Sequence, residues 1–333
     1  MPNPIPRATI IGDGAMGTMC ALVLAQRGTR VVIWGRSAER VATLNSDREN
    51  RQYLPGHSFP DLIDVTDDPA EAFDASQLIV SAVPCQFIRS IWSRLRDHVT
   101  SDIPIVSVAK GIEVGTLLHP TAVISDCIGK VPVACLSGPC IAPEVAAGKP
   151  TGVVVASEDR EVAEFVQEGC STNYFRVYTS DDLVGVETAA AVKNVIAIAA
   201  GICDGIEAGD NAKAALVTRG LVEITRLGVA MGASVDTFRG LAGVGDLVTT
   251  CISNVGRNRS AGERIGRGET LAEVEAFSPS IVEGIPTTQS VLELAKRYDV
   301  DMPIVSGVAS VLFGGQRPCD AIEELMTRPL KSE

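Results

Sequence analysis

Short runs of β-branched and other apolar residues alternate with stretches of helical spacing through the first half of the chain. Ala8 to Ile11, Arg30 to Trp34, Gln77 to Val83, Ile103 to Ala109, Val131 to Leu136, Gly152 to Ala156 and Tyr174 to Tyr178 read as strands. Gly17 to Arg27 is helical in character and ends at Gly28, a residue suited to a left-handed cap. Strands alternating with helices predict a mostly parallel sheet, hence an α/β Rossmann-like domain. From about Asp182 the β-rich runs stop, and Ala, Leu, Val and Gly recur at helical spacing, which predicts an all-α second half. Gly185 to Gly209 is apolar or small on nearly every face and is expected to be a helix buried all round. The expected division is residues 1–187 and 188–333.

The 333 residues leave room for two domains of roughly 150 each. Subtracting 41 acids from 29 Lys and Arg gives a net charge of −12, which repels phosphate backbones and argues against nucleic-acid binding. No run approaches the ~18 apolar residues of a membrane span, and the start MPNPIPRATIIGDG fits no signal peptide. The nine cysteines are scattered without a CxxC pair and are expected to be buried thiols of a cytoplasmic protein. His57, His98 and His119 lie far apart, so no metal site is expected.

Chemistry enters with Gly12-Asp13-Gly14-Ala15-Met16-Gly17, a GxGxxG between a predicted strand and a predicted helix. In that setting Gly12 permits the tight turn, Gly14 lets a pyrophosphate approach the backbone, and Gly17 lets helix and strand pack closely. Asp13 complicates this, since its carboxylate repels a diphosphate unless it points away. The second strand ends Trp34-Gly35-Arg36, with no acid until Glu39. A carboxylate there would accept from the ribose of NADH, whereas Arg36 suits a 2′-phosphate, so NADPH is favoured over NADH.

Lys110 follows another apolar strand, at the edge where open α/β sheets bind ligands. Lys193 lies within the apolar helix, where an ammonium is costly unless paired or used. Partial desolvation lowers a lysine's pKa toward neutrality, which makes Lys193 the candidate general acid and base. Asp246, on the glycine-rich turn LAGVGDL, suits the N-cap of a helix entered at Leu247, and can in that place also hold Lys193 or a substrate hydroxyl. Gly256-Arg257-Asn258-Arg259 sets two guanidiniums around an amide, a pattern suited to holding a phosphate.

In chain order GDGAMGT, IWGR, YLPG, SAVP, AKGIE, SGPCIAPEVAAG, the run Glu187 to Leu221, LAGVGDLVTTC, GRNR and VEG resemble the bacterial NAD(P)-dependent glycerol-3-phosphate dehydrogenases from about Ile10 to Glu324. The resemblance implies an N-terminal Rossmann-like domain and a helical substrate domain. It implies reduction of dihydroxyacetone phosphate to sn-glycerol 3-phosphate, feeding glycerophospholipid synthesis. Apart from the resemblance, the helical second half leaves room for the buried face of a homodimer. The resemblance casts Lys193 as the proton-exchanging lysine, with Lys110 and Asp246 beside it. Gly138, Cys140, Gly256, Arg257 and Asn258 fall at substrate positions, and Ala15, Met16, Arg36, Lys110, Ala142, Arg257, Ile281 and Glu283 at cofactor positions. Cys140 stands where the family usually has a hydroxyl residue, Gly256 where Ser is common, and Asp13 where Ala is usual. Two rival readings remain: a reductase of a 2-oxo or 3-oxo carboxylic acid, and a non-catalytic nucleotide sensor.

Overall fold

A computed structural model describes residues 5–277 and 281–330. The chain forms two compact units. One runs through Ala109 and resumes over Pro120–Val186; the other combines Lys110–His119 with the chain from Glu187 onward.

The first unit is built on an eight-stranded sheet: β1 (Arg7–Ile11), β2 (Arg30–Trp34), β3 (Ile63–Thr66), β4 (Leu78–Ser81), β5 (Ile105–Ser107), β6 (Val133–Ser137), β7 (Thr151–Ala156) and β8 (Phe175–Ser180). Its order is β3-β2-β1-β4-β5-β6-β7-β8. Every neighbouring pair is parallel except β6 with β7. The central strands are buried on both faces, with Ile10, Ile33, Val80 and Val106 on one and Ile11, Val32, Ile79 and Ile105 on the other, as the continuous apolar runs require. The predicted strands are all present: β2 has the predicted bounds, β4 and β5 are shorter at both ends, β1 and β7 begin one residue earlier, and β6 and β8 begin and end later. The run Ile63–Thr66 carried no strand expectation because Asp64 interrupts it and acids and Pro69 follow. Pairing with β2, Val31 to Ile63 and Trp34 to Thr66, supplies the stability its own composition lacks.

The order reverses between β1 and β4, the switch point where open sheets of this kind bind ligands. Beyond β1 the chain turns at Gly12, whose φ of +114° excludes most side chains, and enters the helix Ala15–Gln26. That helix begins two residues before the predicted start and ends at Arg27, with Gly28 left-handed at φ +88°. A β-carbon on Gly12 would stand 2.8 Å from the Ala82 carbonyl oxygen, and one on Gly17 would stand 2.0 Å from the Gly12 oxygen. Gly17→Ala therefore has no room without displacing the turn. It is expected to abolish dinucleotide binding in a fluorescence titration and to lower the melting temperature in the same preparation.

The second unit is helical. Its central helix, Leu183–Gly205, is long and apolar enough to cross a membrane by length and composition, which corrects the expectation that no run approaches that size. Its most apolar stretch is 89% buried, as in a core helix. Gly201 and Gly262 bring this helix against the helix Arg257–Gly266 backbone to backbone. A β-carbon on Gly201 would meet the Arg259 oxygen at 1.9 Å, and one on Gly262 the Ile198 oxygen at 2.0 Å. Of the nine thiols, five are buried, Cys20, Cys127 and Cys140 are half-buried, and Cys319 is exposed, so burial is only partly the rule expected. Among the described residues no cluster of His, Cys, Asp or Glu could hold a metal.

Candidate active site

Lys193 sits in the middle of the buried helix and is itself 4% exposed. Its ammonium donates to Asp246 Oδ1 at 2.8 Å and to the Thr250 hydroxyl. The other oxygen of Asp246, Oδ2, accepts from Lys110 Nζ at 2.6 Å. One buried carboxylate thus holds two ammoniums, one on each oxygen. Thr250 hydrogen-bonds the Asp246 carbonyl oxygen at 2.7 Å, which commits the only hydroxyl proton and leaves its lone pairs to Lys193. The third hydrogen of Lys193 has no partner among the described residues.

Local structure explains how these groups meet. A single π-helical turn, Leu241–Gly245, precedes the helix Asp246–Ile252, with the Gly245 amide bonded to the Gly240 carbonyl. It closes tightly because Gly243 has no side chain: a β-carbon there would meet the Phe238 oxygen at 2.1 Å. Asp246 is the first residue of the following helix rather than its N-cap, which is Gly245. The capping reading is thereby corrected, and the carboxylate turns to the lysines. Beyond the Asp246 pair, other bonds fix the segment carrying Lys110 to the same unit. Ser290 donates to the Ile112 oxygen at 3.1 Å, the buried His119 ring meets the Thr188 hydroxyl at 3.2 Å, and Asn194 Nδ2 donates to the Lys110 oxygen at 3.3 Å.

Electrostatics follow from this packing. Burial drives the pKa of Lys193 down, the Lys110 charge lowers it further, and Asp246 resists, leaving it at about 8. For Asp246 burial pushes upward, but the two adjacent ammoniums more than offset it and hold its carboxyl below the ordinary value. With Lys193 protonated the three groups carry a net positive charge. Once its proton leaves they are neutral, so neither state strands an unbalanced anion in the interior.

The predicted phosphate residues gather nearby in sequence and in space within this unit. Arg257 is exposed and donates to the Ile281 carbonyl at 3.1 Å. The Asn258 Oδ1 accepts from the Gly284 amide at 2.9 Å, so its NH2 group faces the other way as a donor. Arg259, in contrast, is spoken for. It donates to Asp204 at 2.7 Å and to Asn254 at 3.0 Å, and Asp204 also accepts from Lys213 at 2.8 Å. Gly256 caps the Arg257–Gly266 helix without a side-chain bond. Glu283 stands immediately before the helix Gly284–Arg297, whose first residue must be small because a β-carbon would meet the Asn194 oxygen at 2.7 Å.

In the first unit the glycine turn behaves unequally. Gly12 and Gly17 are required by the protein's own packing, whereas a β-carbon on Gly14 would meet nothing within 4 Å. Open space over Gly14, at the start of a helix whose first turn no described side chain caps, fits a dinucleotide diphosphate. Ala15 and Met16 open that helix, and Arg36 is exposed just past β2. Gly138 has φ +135° in the turn after β6, with Cys140 half-buried beyond it and Ala142 buried at the head of a short helix.

Residues 7–163 match the family described as NAD-dependent glycerol-3-phosphate dehydrogenase N-terminus, and residues 182–323 match its C-terminal counterpart. The chain belongs to the NAD-dependent glycerol-3-phosphate dehydrogenase family. The glycerol-3-phosphate dehydrogenase (NAD(P)+) of Streptomyces griseus is 45% identical over all of this chain and 99% of its own length. That of Geobacillus thermodenitrificans is 47% identical over 98% of this chain and 96% of its own. The crystal structure of the Coxiella burnetii glycerol-3-phosphate dehydrogenase superposes with a TM-score of 0.93 at 36% identity, covering 98% of this chain and 100% of that one. A ketopantoate reductase from Ralstonia eutropha shares the fold alone, with a TM-score of 0.58 at 15% identity over 92% of this chain and 97% of that one.

Within this dehydrogenase, sequence reasoning missed Thr250, Asn194 and Gly284. Thr250 carried a readable signal, since it lies four residues after Asp246 and so on the same helix face. The contact of Asn194 with Lys110 spans 84 positions and had none.

Proposed function

We propose that the protein reversibly reduces dihydroxyacetone phosphate to sn-glycerol 3-phosphate with NAD(P)H. The observation that carries this reading is the buried carboxylate of Asp246 shared by Lys193 and Lys110, a proton donor beside a fixed positive charge. When bound, the nicotinamide supplies hydride to C2 of the substrate. Lys193 gives a proton to the carbonyl oxygen through its third N–H and, in the reverse direction, takes the hydroxyl proton. Lys110 polarises that oxygen, and Asp246 orients both lysines. The Arg257 guanidinium and the Asn258 amide hold the phosphate, with backbone at Gly138, so that binding energy is converted into alignment of C2. Cys140 and Gly256 bring no hydroxyl to the substrate, and each neutral bond forgone costs about 1 kcal/mol.

Gly12, Gly14, Ala15, Met16 and Gly17 would hold the dinucleotide, and Arg36, Lys110, Ala142, Arg257, Ile281 and Glu283 are the further residues assigned to it. NADPH is favoured, since β2 ends without an acid and with the exposed Arg36. The functional division is a dinucleotide-binding domain over 1–187 and a substrate-binding domain over 188–333. The thiol-rich, disulfide-free chain supports a cytoplasmic location. A homodimer is supported by an apolar groove on the second unit lined by Leu221, Val229, Val235 and Phe238.

The purified protein is expected to oxidise NADPH with dihydroxyacetone phosphate and not with a 2-oxo carboxylic acid of equal length. Arg257→Ala should raise KM for the phosphate substrate by roughly a hundredfold with a smaller change in kcat, as loss of a charge-assisted pair predicts. Equal or better turnover of the carboxylate would favour the rival reductase. Dinucleotide binding without turnover of either would favour the sensor.

A further inference from the structure

The acid absent from the end of β2 is supplied from elsewhere. Asp13, between the first two glycines of the turn, does not face the open space over Gly14. Its carboxylate lies beside Gly35, 3.5 Å from where a β-carbon on that residue would stand, immediately past the last residue of β2. There it accepts from Arg40 Nε at 2.5 Å. The pair is braced on all sides. Arg40 also donates to the Asp13 carbonyl at 3.2 Å and to the Gln52 side chain, and its guanidinium stacks 4.7 Å over the Tyr53 ring. The buried Asn50 donates to the Asp13 carbonyl at 2.9 Å and to Thr18 at 2.7 Å, fixing the backbone from below. Asp13 keeps about a fifth of its side chain exposed, so the carboxylate is both held and reachable.

We propose that Asp13 sets the cofactor choice of this enzyme: its carboxylate takes the adenosine-ribose position that β2 leaves to a glycine, and it withdraws Arg40 from a 2′-phosphate. The inference rests on the dinucleotide reading above and limits the preference given by Arg36. A ribose 2′-hydroxyl donates to the carboxylate, as to an acid carried by β2 itself. A 2′-phosphate brings negative charge toward that carboxylate, and the guanidinium that would offset it is already engaged by Asp13, Gln52 and Tyr53. Arg36, outside this network among the described residues, remains to attract the phosphate. The two opposing groups make the enzyme accept both cofactors, and Asp13 is the one that retains NADH.

The test is direct titration of the substrate-free protein with NADPH and with NADH, followed by nucleotide fluorescence or calorimetry, so that binding is read apart from turnover. Asp13→Asn is expected to tighten NADPH and weaken NADH, moving the ratio of the two Kd values at least tenfold toward NADPH. Arg40→Met, which frees the carboxylate of its counter-charge, should move the ratio the opposite way. Opposite displacements of one ratio cannot come from a general loosening of the turn. A ratio within twofold of wild type in Asp13→Asn, or equal loss of both cofactors in both variants, overturns the assignment while leaving the dinucleotide reading intact. Failure of the wild type to bind either cofactor overturns both.

Discussion

Lys193→Met should lower kcat in both directions by roughly a thousandfold, within the range general acid–base groups contribute, while leaving the Kd for NADPH close to wild type. Its ammonium keeps one hydrogen without a partner among the described residues, and its burial brings its pKa to about 8. That value fixes the sign of the pH dependence. Reduction needs the protonated amine, so kcat/KM for dihydroxyacetone phosphate should be flat at low pH and fall about tenfold per pH unit above about 8. Oxidation of glycerol 3-phosphate needs the neutral amine, so its kcat/KM should rise through the same window and level off above it. The measurement is a pair of pH–rate profiles with one enzyme preparation. Limbs in the same direction, or profiles unmoved in Lys193→Met, would remove this lysine from the proton-transfer role.

The profile also tests why that lysine is where it is. Its helix could be read from the chain because Ala, Val and Ile occupy almost every face around one Lys-Asn pair, and a lone ammonium in such a setting demands a partner. The partner was visible only as a candidate. Asp246 stands 53 positions away, and the glycine turn before it suited a cap as well as an ion pair. The π-helical turn decided the matter by placing Asp246 inside the next helix instead of ahead of it. The glycine fingerprint was legible for the opposite reason: strand, turn and helix lie within one local stretch, so spacing carries the geometry. The Asp13 contact with Arg40 spans 27 positions and a helix boundary, so the sequence showed a charge in the wrong place without showing where it points. β3 was lost because its apolar–polar alternation lasts only four residues before acids and Pro69, and only its neighbour in the sheet makes it a strand.

Asp246→Asn is expected to cost as much as loss of Lys193 itself, by a different route. The carboxylate opposes two forces on Lys193, burial and the Lys110 charge, both of which lower its pKa. An isosteric amide keeps the shape and one acceptor oxygen, but its NH2 cannot accept from the second ammonium and the opposing charge is gone. The amine should then titrate well below 8 and be largely neutral at neutral pH, which disables it as an acid. The descending limb of the reduction profile should therefore move to lower pH, a displacement no purely structural defect would produce. Removal of the buried anion also destabilises the second unit by about 3 kcal/mol, the order found when one partner of a buried ion pair is lost. Activity is accordingly compared at a temperature where circular dichroism shows the variant folded. Thr250→Val serves as the reference, because it takes one hydrogen bond from Lys193 but no charge, and should lower kcat without displacing the limb toward acid. If Asp246→Asn loses rate with its limb unmoved, the carboxylate orients the lysine but does not tune it, and the balance of charges inferred for the three groups fails.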